Sequence, residues 1–173
     1  MENYKQKLRK ITTFIFDIDG VFTDGTVWLM PDGEQIRTAN IKDGYAVQLA
    51  VKKGFRIAVI TGGKAEAVKI RFKGLGVDDV FLGTADKWKL YEQYLKDHQL
   101  KSEEVLYMGD DIVDLKPLQN AGVSACPADA VNEVRTICDY TSHFGGGKGC
   151  VRDVVEQTLK VQGKWMDADS GMW

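Results

Sequence analysis

Cysteine is scarce in this chain. Cys126, Cys138 and Cys150 are its only three, odd in number and without a CxxC pair. That excludes a disulfide framework and fits free thiols in a reducing compartment. Adding His143 to them gives no familiar zinc-ligand spacing. Long apolar runs are missing as well. No stretch approaches the roughly 20 residues of a membrane span. The polar, basic stretch from Met1 to Lys10 leads into no apolar segment long enough for a signal peptide. The cytoplasm is therefore the expected location, with no membrane partner. Charge of one sign is also lacking: a net charge of −2 and no basic stripe leave no electrostatic footprint for nucleic acid. Domain-separating linkers and internal repeats are absent too.

What is present is an ordinary globular composition, 44% hydrophobic and 28% charged. A length of 173 residues suffices for a single domain, 1–173, with its own core. Apolar strand-like runs alternate with helical patterns, which predicts an α/β fold: a doubly wound, mostly parallel sheet flanked by helices. Strands are expected at residues 12–16, 56–60, 79–82, 105–108, 123–125 and 140–141. Helices are expected at 44–53, 64–75, 87–98, 116–121, 130–137 and 151–162. Residues 26–30 and 34–38, flanking Pro31-Asp32-Gly33, predict a small β-hairpin insertion at about 24–40. The tail, about 163–173, is unperiodic but carries Trp165, Met166, Met172 and Trp173. Either a disordered end or docking on a neighbouring subunit fits it.

Four chemical signals follow predicted strands. Asp17-Ile18-Asp19-Gly20-Val21 succeeds the apolar run Phe14-Ile15-Phe16 and puts two carboxylates on one side of an extended backbone. Two crowded like charges need a cation or a shared proton. Thr61-Gly62-Gly63 offers a hydroxyl and glycine-exposed amides to an anionic oxygen. Lys87 opens a predicted helix with an ammonium suited to phosphate or carboxylate. Gly109-Asp110-Asp111-Ile112-Val113-Asp114 collects three carboxylates, the oxygen ligands that hard divalent cations prefer. Singly, Thr61 reads equally as a helix cap, Lys87 as a solvated side chain and the acidic loop as a capping cluster. Together they place a metal site beside an anion site at the carboxyl ends of strands. Gly145-Gly146-Gly147-Lys148-Gly149 has the wrong spacing for a P-loop, and a loop letting the C-terminal segment approach a pocket fits it better.

From Asp17 to Asp114 the set resembles the haloacid dehalogenase superfamily of phosphohydrolases. The hairpin in place of a cap domain, Asn40-Ile41-Lys42-Asp43-Gly44-Tyr45 and the glycine-rich segment resemble its capless subfamily. The resemblance implies Mg²⁺ as cofactor, held by the Asp17 carboxylate, the Asp19 backbone carbonyl and Asp110, with Asp111 and Asp114 in support. It implies Asp17 as nucleophile, Asp19 as acid and base, and Thr61 and Lys87 as holders of the phosphoryl group. Substrate contacts are implied for Asp19, Asn40, Ile41, Lys42, Asp43, Gly44, Gln48, Gly62, Gly63, Arg71 and Lys87. The implied substrate is an eight-carbon 2-keto-3-deoxy sugar acid phosphate from lipopolysaccharide synthesis, with a nine-carbon acid as competitor. Lys42, Gln48 and Gly63 stand where the resembled pattern has arginines, while Arg71 and Lys87 match it. The implied assembly is a homotetramer in which each hairpin covers a neighbour's site. A receiver-like phosphoacceptor shares the acid, threonine and lysine set, but carries its phosphoacceptor on the third strand rather than the first. A catalytically silent oligomerisation module would not need every catalytic position filled.

Overall fold

Thr13–Phe16 (β1) is the central strand, and its side chains are buried on both faces, as a strand flanked by helices on each side requires. Phe14 and Phe16 point into one core cluster and Ile15 into another. The computed structural model describes residues 3–166 and Gly171. After Tyr4–Lys7 (α1) and β1 come the hairpin strands Trp28–Leu29 (β2) and Gln35–Ile36 (β3), then Ile41–Lys52 (α2) and Arg56–Ile60 (β4). Glu66–Gly74 (α3), Asp79–Phe81 (β5), Lys87–Asp97 (α4), Val105–Met108 (β6) and Leu115–Asn120 (α5) follow. Val123–Cys126 (β7), Asn132–Arg135 (α6), Tyr140–Thr141 (β8) and Cys150–Val161 (α7) complete the order.

The sheet runs β5-β4-β1-β6-β7-β8, and all its pairings are parallel. The chain therefore winds outward from β1 in one direction, then returns to start again at β6 on β1's other side. Such a reversal of strand order opens a crevice at the carboxyl ends of β1 and β6. On one face α2, α3 and α7 bury Val47, Leu49, Phe72, Val154 and Leu159 with the two β1 phenylalanines. On the other, Tyr91 of α4 and Leu118 of α5 pack with Ile15, Ile60 and Tyr107. Each such large apolar side chain contributes about 1.5–3 kcal/mol by leaving water. Among the described residues, no helix is long and apolar enough to cross a membrane.

The expected elements are present, with differences that have local causes. Helix α2 starts at Ile41 rather than Gly44 because Asn40 caps it, its side chain accepting from the Lys42 N–H. The hairpin strands shrink to two residues each, and among the described residues Trp28 (66% exposed) and Leu29 (77%) lack a core to pack on. Helix α1 has no counterpart in the sequence pattern. Asn3 and Gln6 close a capping box around it, and Tyr4 stacks on Tyr140 at 4.9 Å between ring centroids. Within the tail, Trp165 turns inward onto the main core, with the Arg152 guanidinium 5.5 Å above its ring, so this part docks on its own chain. Met166 is exposed, and Met172 and Trp173 lie outside the described residues.

The glycine-rich segment lines neither of the two large cavities at the strand ends. It backs the loop after β1 instead: the Gly147 N–H donates to Val21 O at 2.9 Å, and a Cβ on Gly146 would lie 2.0 Å from Gly20 O. Backbone cannot yield as a flexible side chain can. Gly146→Ala should therefore cost about 1–3 kcal/mol of stability by overpacking. Urea denaturation checks this, and an unchanged midpoint would show that the loop gives way freely.

Candidate active site

Asp17 leaves the sheet as soon as β1 ends, its N–H still donating to Met108 O at 3.0 Å. Its Oδ1 accepts from the Ile18 N–H at 2.7 Å and its Oδ2 faces Lys87 Nζ at 2.8 Å. Lys87 is the first residue of α4, which Asp86 caps by accepting from the Lys89 N–H. The ammonium is only 6% exposed and also donates to Asp114 Oδ1 at 2.9 Å. Burial alone would lower the lysine pKa, but Asp114 and Asp17 override it and raise the value. Asp114 is fully buried and accepts a second bond, at 2.7 Å, from the Tyr107 hydroxyl.

Carboxylate oxygens of Asp17, Asp110 and Asp114 lie within 4.8 Å of one another. Burial, followed by the charge of Asp114, pushes the Asp17 carboxyl up to about 7, although Lys87 opposes the shift. Burial and then the charges of Asp17 and Asp114 do the same to Asp110, also to about 7. Asp110 packs directly on Gly20, where a Cβ would lie 1.9 Å from Asp110 Oδ2 and the backbone φ of +85° favours glycine. Asp110 Oδ1 and Asp114 Oδ2 are buried without a hydrogen-bond partner. An all-oxygen set with two orphaned acceptors and one ammonium among three carboxylates fits a hard divalent cation in charge and in donor type.

Thr61 stands at the end of β4, buried, its Oγ1 accepting from the Gly63 N–H at 3.0 Å. With Asp17, Asp19, Lys87, Asp110 and Asp111 it lines a cavity of about 790 Å³. A second cavity, of about 770 Å³, is lined among others by Arg37, Asn40, Gly44 and Arg71, and shares Gly62 and Gly63 with the first. The structure thus brings Asp17, Asp19, Thr61, Lys87 and Asp110 to one opening. Asn40, Gly44, Gly62, Gly63 and Arg71 come to the opening beside it.

Other expected site residues lie elsewhere. Asp43 is fully buried, and its Oδ1 accepts from the Arg152 N–H at 2.7 Å. That bond ties α2 to the first turn of α7, and Asp43 lines neither cavity. Ile41, Lys42 and Gln48 line neither cavity. Asp111 is exposed and accepts from its neighbour Ile112 N–H at 2.7 Å, a turn cap at the cavity rim. Asp114, expected only in support, is in direct contact with Lys87.

Two residues escaped the sequence reading. Tyr107 looked like any core strand aromatic. Arg37, at the base of the hairpin, grips Asp19 with both sides of its guanidinium: Nε to Oδ1 at 2.6 Å and Nη2 to Oδ2 at 3.0 Å. Those hydrogen bonds raise the arginine pKa further. A basic residue closing an otherwise exposed hairpin strand was the available signal.

Because the fold favours the neutral form of Asp17 and Asp110, their stabilising protons are fully bound below the unfolded carboxyl value of 3.8. They are lost as pH rises toward about 7. Metal-stripped protein should accordingly show a melting temperature that falls between pH 4 and pH 7 through these two groups. Excess Mg²⁺ should flatten that fall and raise the upper end. A Tm profile indifferent to Mg²⁺ would contradict the cluster as a cation site.

Comparison with known proteins agrees with this geometry. The family model for haloacid dehalogenase-like hydrolases matches residues 45–128. The 3-deoxy-D-manno-octulosonate 8-phosphate phosphatase KdsC of Salmonella typhi is 34% identical over 94% of this chain and 86% of its own. Among solved structures, the corresponding phosphatase of Moraxella catarrhalis, in complex with magnesium, phosphate and a KDO molecule, superposes with a TM-score of 0.90. It is 30% identical and matched over 93% of this chain and 92% of that one. The cobalt-bound phosphatase of Haemophilus influenzae gives 0.90 at 31% identity, over 97% of this chain and all of that one. With this similarity, the acidic crevice and the doubly wound sheet together, the chain belongs to the haloacid dehalogenase-like hydrolases, in the family of the KdsC phosphatases.

Proposed function

We propose that the protein is a Mg²⁺-dependent phosphatase that releases phosphate from 3-deoxy-D-manno-octulosonate 8-phosphate through an aspartyl-phosphate. The observation that carries this is the pair of adjacent cavities: an acidic opening of about 790 Å³ around Asp17 and Lys87, which shares Gly62 and Gly63 with a chamber lined by two arginines. A substrate with phosphate at one end and a carboxylate at the other matches that layout. The relatives' named substrate has this form.

Asp17 attacks phosphorus with a carboxylate oxygen. Its oxygens are held apart by Lys87 on one side and the Ile18 N–H on the other, so the carboxylate is oriented before the substrate arrives. Thr61 and the neighbouring backbone amides steady the phosphoryl oxygens, and Lys87 offsets their charge. Asp19 protonates the departing sugar oxygen and then takes a proton from the water that attacks the aspartyl-phosphate. Asp17, the Asp19 carbonyl and Asp110 would hold Mg²⁺, with Asp114 beside them; when bound, it supplies charge neutralisation for the transferring group.

The whole chain acts as one phosphatase domain, in the cytoplasm, in making the inner sugar of lipopolysaccharide. A homotetramer in which each hairpin covers a neighbouring site accounts for the exposure of Trp28 and Leu29 at 66% and 77%. A nine-carbon sugar acid 9-phosphate is the second reading. Lys42, Gln48 and Gly63 support it, because they stand where the resembled pattern for the eight-carbon acid has arginines.

The test is phosphate release with and without Mg²⁺, with kcat/KM compared across the eight-carbon acid phosphate, the nine-carbon one and hexose phosphates. A preference for the eight-carbon acid is expected. A preference for the nine-carbon acid moves the pathway, and equal rates on hexose phosphates contradict the substrate class. Asp19→Asn should lower kcat by roughly 10²–10⁴-fold on the sugar phosphate. It should lower it far less on an aryl phosphate, whose leaving group needs little protonation. Equal losses on both would remove Asp19 from the acid role.

A further inference from the structure

Arg37 and Asp19 form the seam between the two cavities. Asp19 lines the phosphoryl opening and not the chamber beside it, whereas Arg37 lines the chamber and not the opening. Their bidentate ion pair, at 2.6 and 3.0 Å, occupies both carboxylate oxygens of the residue assigned to deliver a proton to the leaving group. A carboxylate whose two oxygens both face N–H donors has no proton turned toward a sugar oxygen, so delivering one requires the pair to open during turnover. A fork of parallel N–H groups is exchanged most readily for another carboxylate, because guanidinium and carboxylate match in shape as well as charge.

Gly63 lies against this pair, at the wall the two cavities share. A Cβ built there would lie 3.3 Å from Thr61 Oγ1, 3.6 Å from Asp19 Oδ2 and 3.8 Å from Arg37 Nη2. The resembled pattern carries an arginine at this position; here the glycine faces a guanidinium that arrives from another part of the chain. The remaining Arg37 contacts, Nη1 to Gln35 O at 3.2 Å and Nη2 to Gln35 Oε1 at 3.3 Å, tie it to the hairpin strand rather than to the sheet. It can therefore shift with the hairpin while Asp17 and Lys87 stay fixed.

We propose that Arg37 is the specificity-determining residue of this chain: it clamps Asp19 while the site is empty and passes to the substrate's carboxylate on binding, which frees Asp19 for the leaving oxygen. This rests on the phosphatase reading above and adds to it the group that recognises the acid. A phosphate ester without a carboxylate then leaves the clamp closed and reacts poorly.

The experiment compares wild type, Arg37→Gln and Arg37→Lys, each checked for folding by circular dichroism, on the eight-carbon acid phosphate and on a pentose 5-phosphate without a carboxylate. In Arg37→Gln the preference for the acid, as a ratio of kcat/KM values, should fall about 10- to 100-fold, chiefly through a higher KM for the acid. Arg37→Lys should recover part of it, since a point charge replaces the fork without its geometry. If Arg37→Gln does not fold, the same comparison is read from Arg37→Lys. A wild-type preference that survives in the variant overturns the arginine assignment alone. Equal loss of kcat on both substrates also overturns it, because Arg37 would then only order Asp19. A wild type with no preference for the acid overturns the substrate reading and this proposal with it.

Discussion

The Lys87 ammonium is the contact on which the rest of the site depends. It joins Asp17 on β1 to Asp114 in the loop after β6, at 2.8 and 2.9 Å, deep enough that water screens neither bond. Removing one partner of such a buried pair costs more than the pair contributes, because the other charge is left stranded. The two strands it ties flank the crevice where the strand order reverses, so one helix-opening lysine fixes both the local charge balance and the separation of the crevice walls. Tyr107 extends the network downward into the second core cluster, where its ring packs against Tyr91 at 6.0 Å between centroids.

Around that bridge, the absence of side chains does as much as their presence. Gly20 lets Asp110 press against the catalytic loop, and Gly146 lets a distant segment press against the same loop from behind. Each is a different use of a missing Cβ: positive φ and close approach at Gly20, and backbone-to-backbone contact at Gly146. The exposed, weakly paired hairpin contrasts with this rigidity. It anchors Arg37 on Asp19 and lines the chamber with Gln35 and Ile36, while Trp28 and Leu29 stand exposed.

Much of this was legible in the sequence because the relevant patterns are short. Asp17/Asp19, Thr61-Gly62-Gly63 and the acidic loop each follow an apolar strand directly, and strand ends in a parallel sheet gather at one edge whatever their spacing along the chain. The α/β sheet followed from the same alternation. Arg37 was not legible, since its partner lies 18 residues away across a hairpin whose path no local periodicity sets. Asp43 misled for the opposite reason: it stands in a polar segment that reads as a ligand site, yet long-range packing of α2 on α7 buries it. The roles of Tyr107 and Asp114 depend on contacts made by burial, which a residue's type alone does not announce.

The most direct test of the account is to trap the covalent intermediate. The protein is mixed with Mg²⁺ and the eight-carbon sugar acid phosphate, quenched with acid within the first turnover, reduced with borohydride, digested and sequenced by mass spectrometry. Reduction of an aspartyl-phosphate leaves homoserine, and the account predicts homoserine at position 17 and nowhere else. Rapid phosphate release with Asp17 unmodified throughout, or homoserine at Asp110 or Asp114 instead, would contradict the assignment of the nucleophile on which the reading of the site is built.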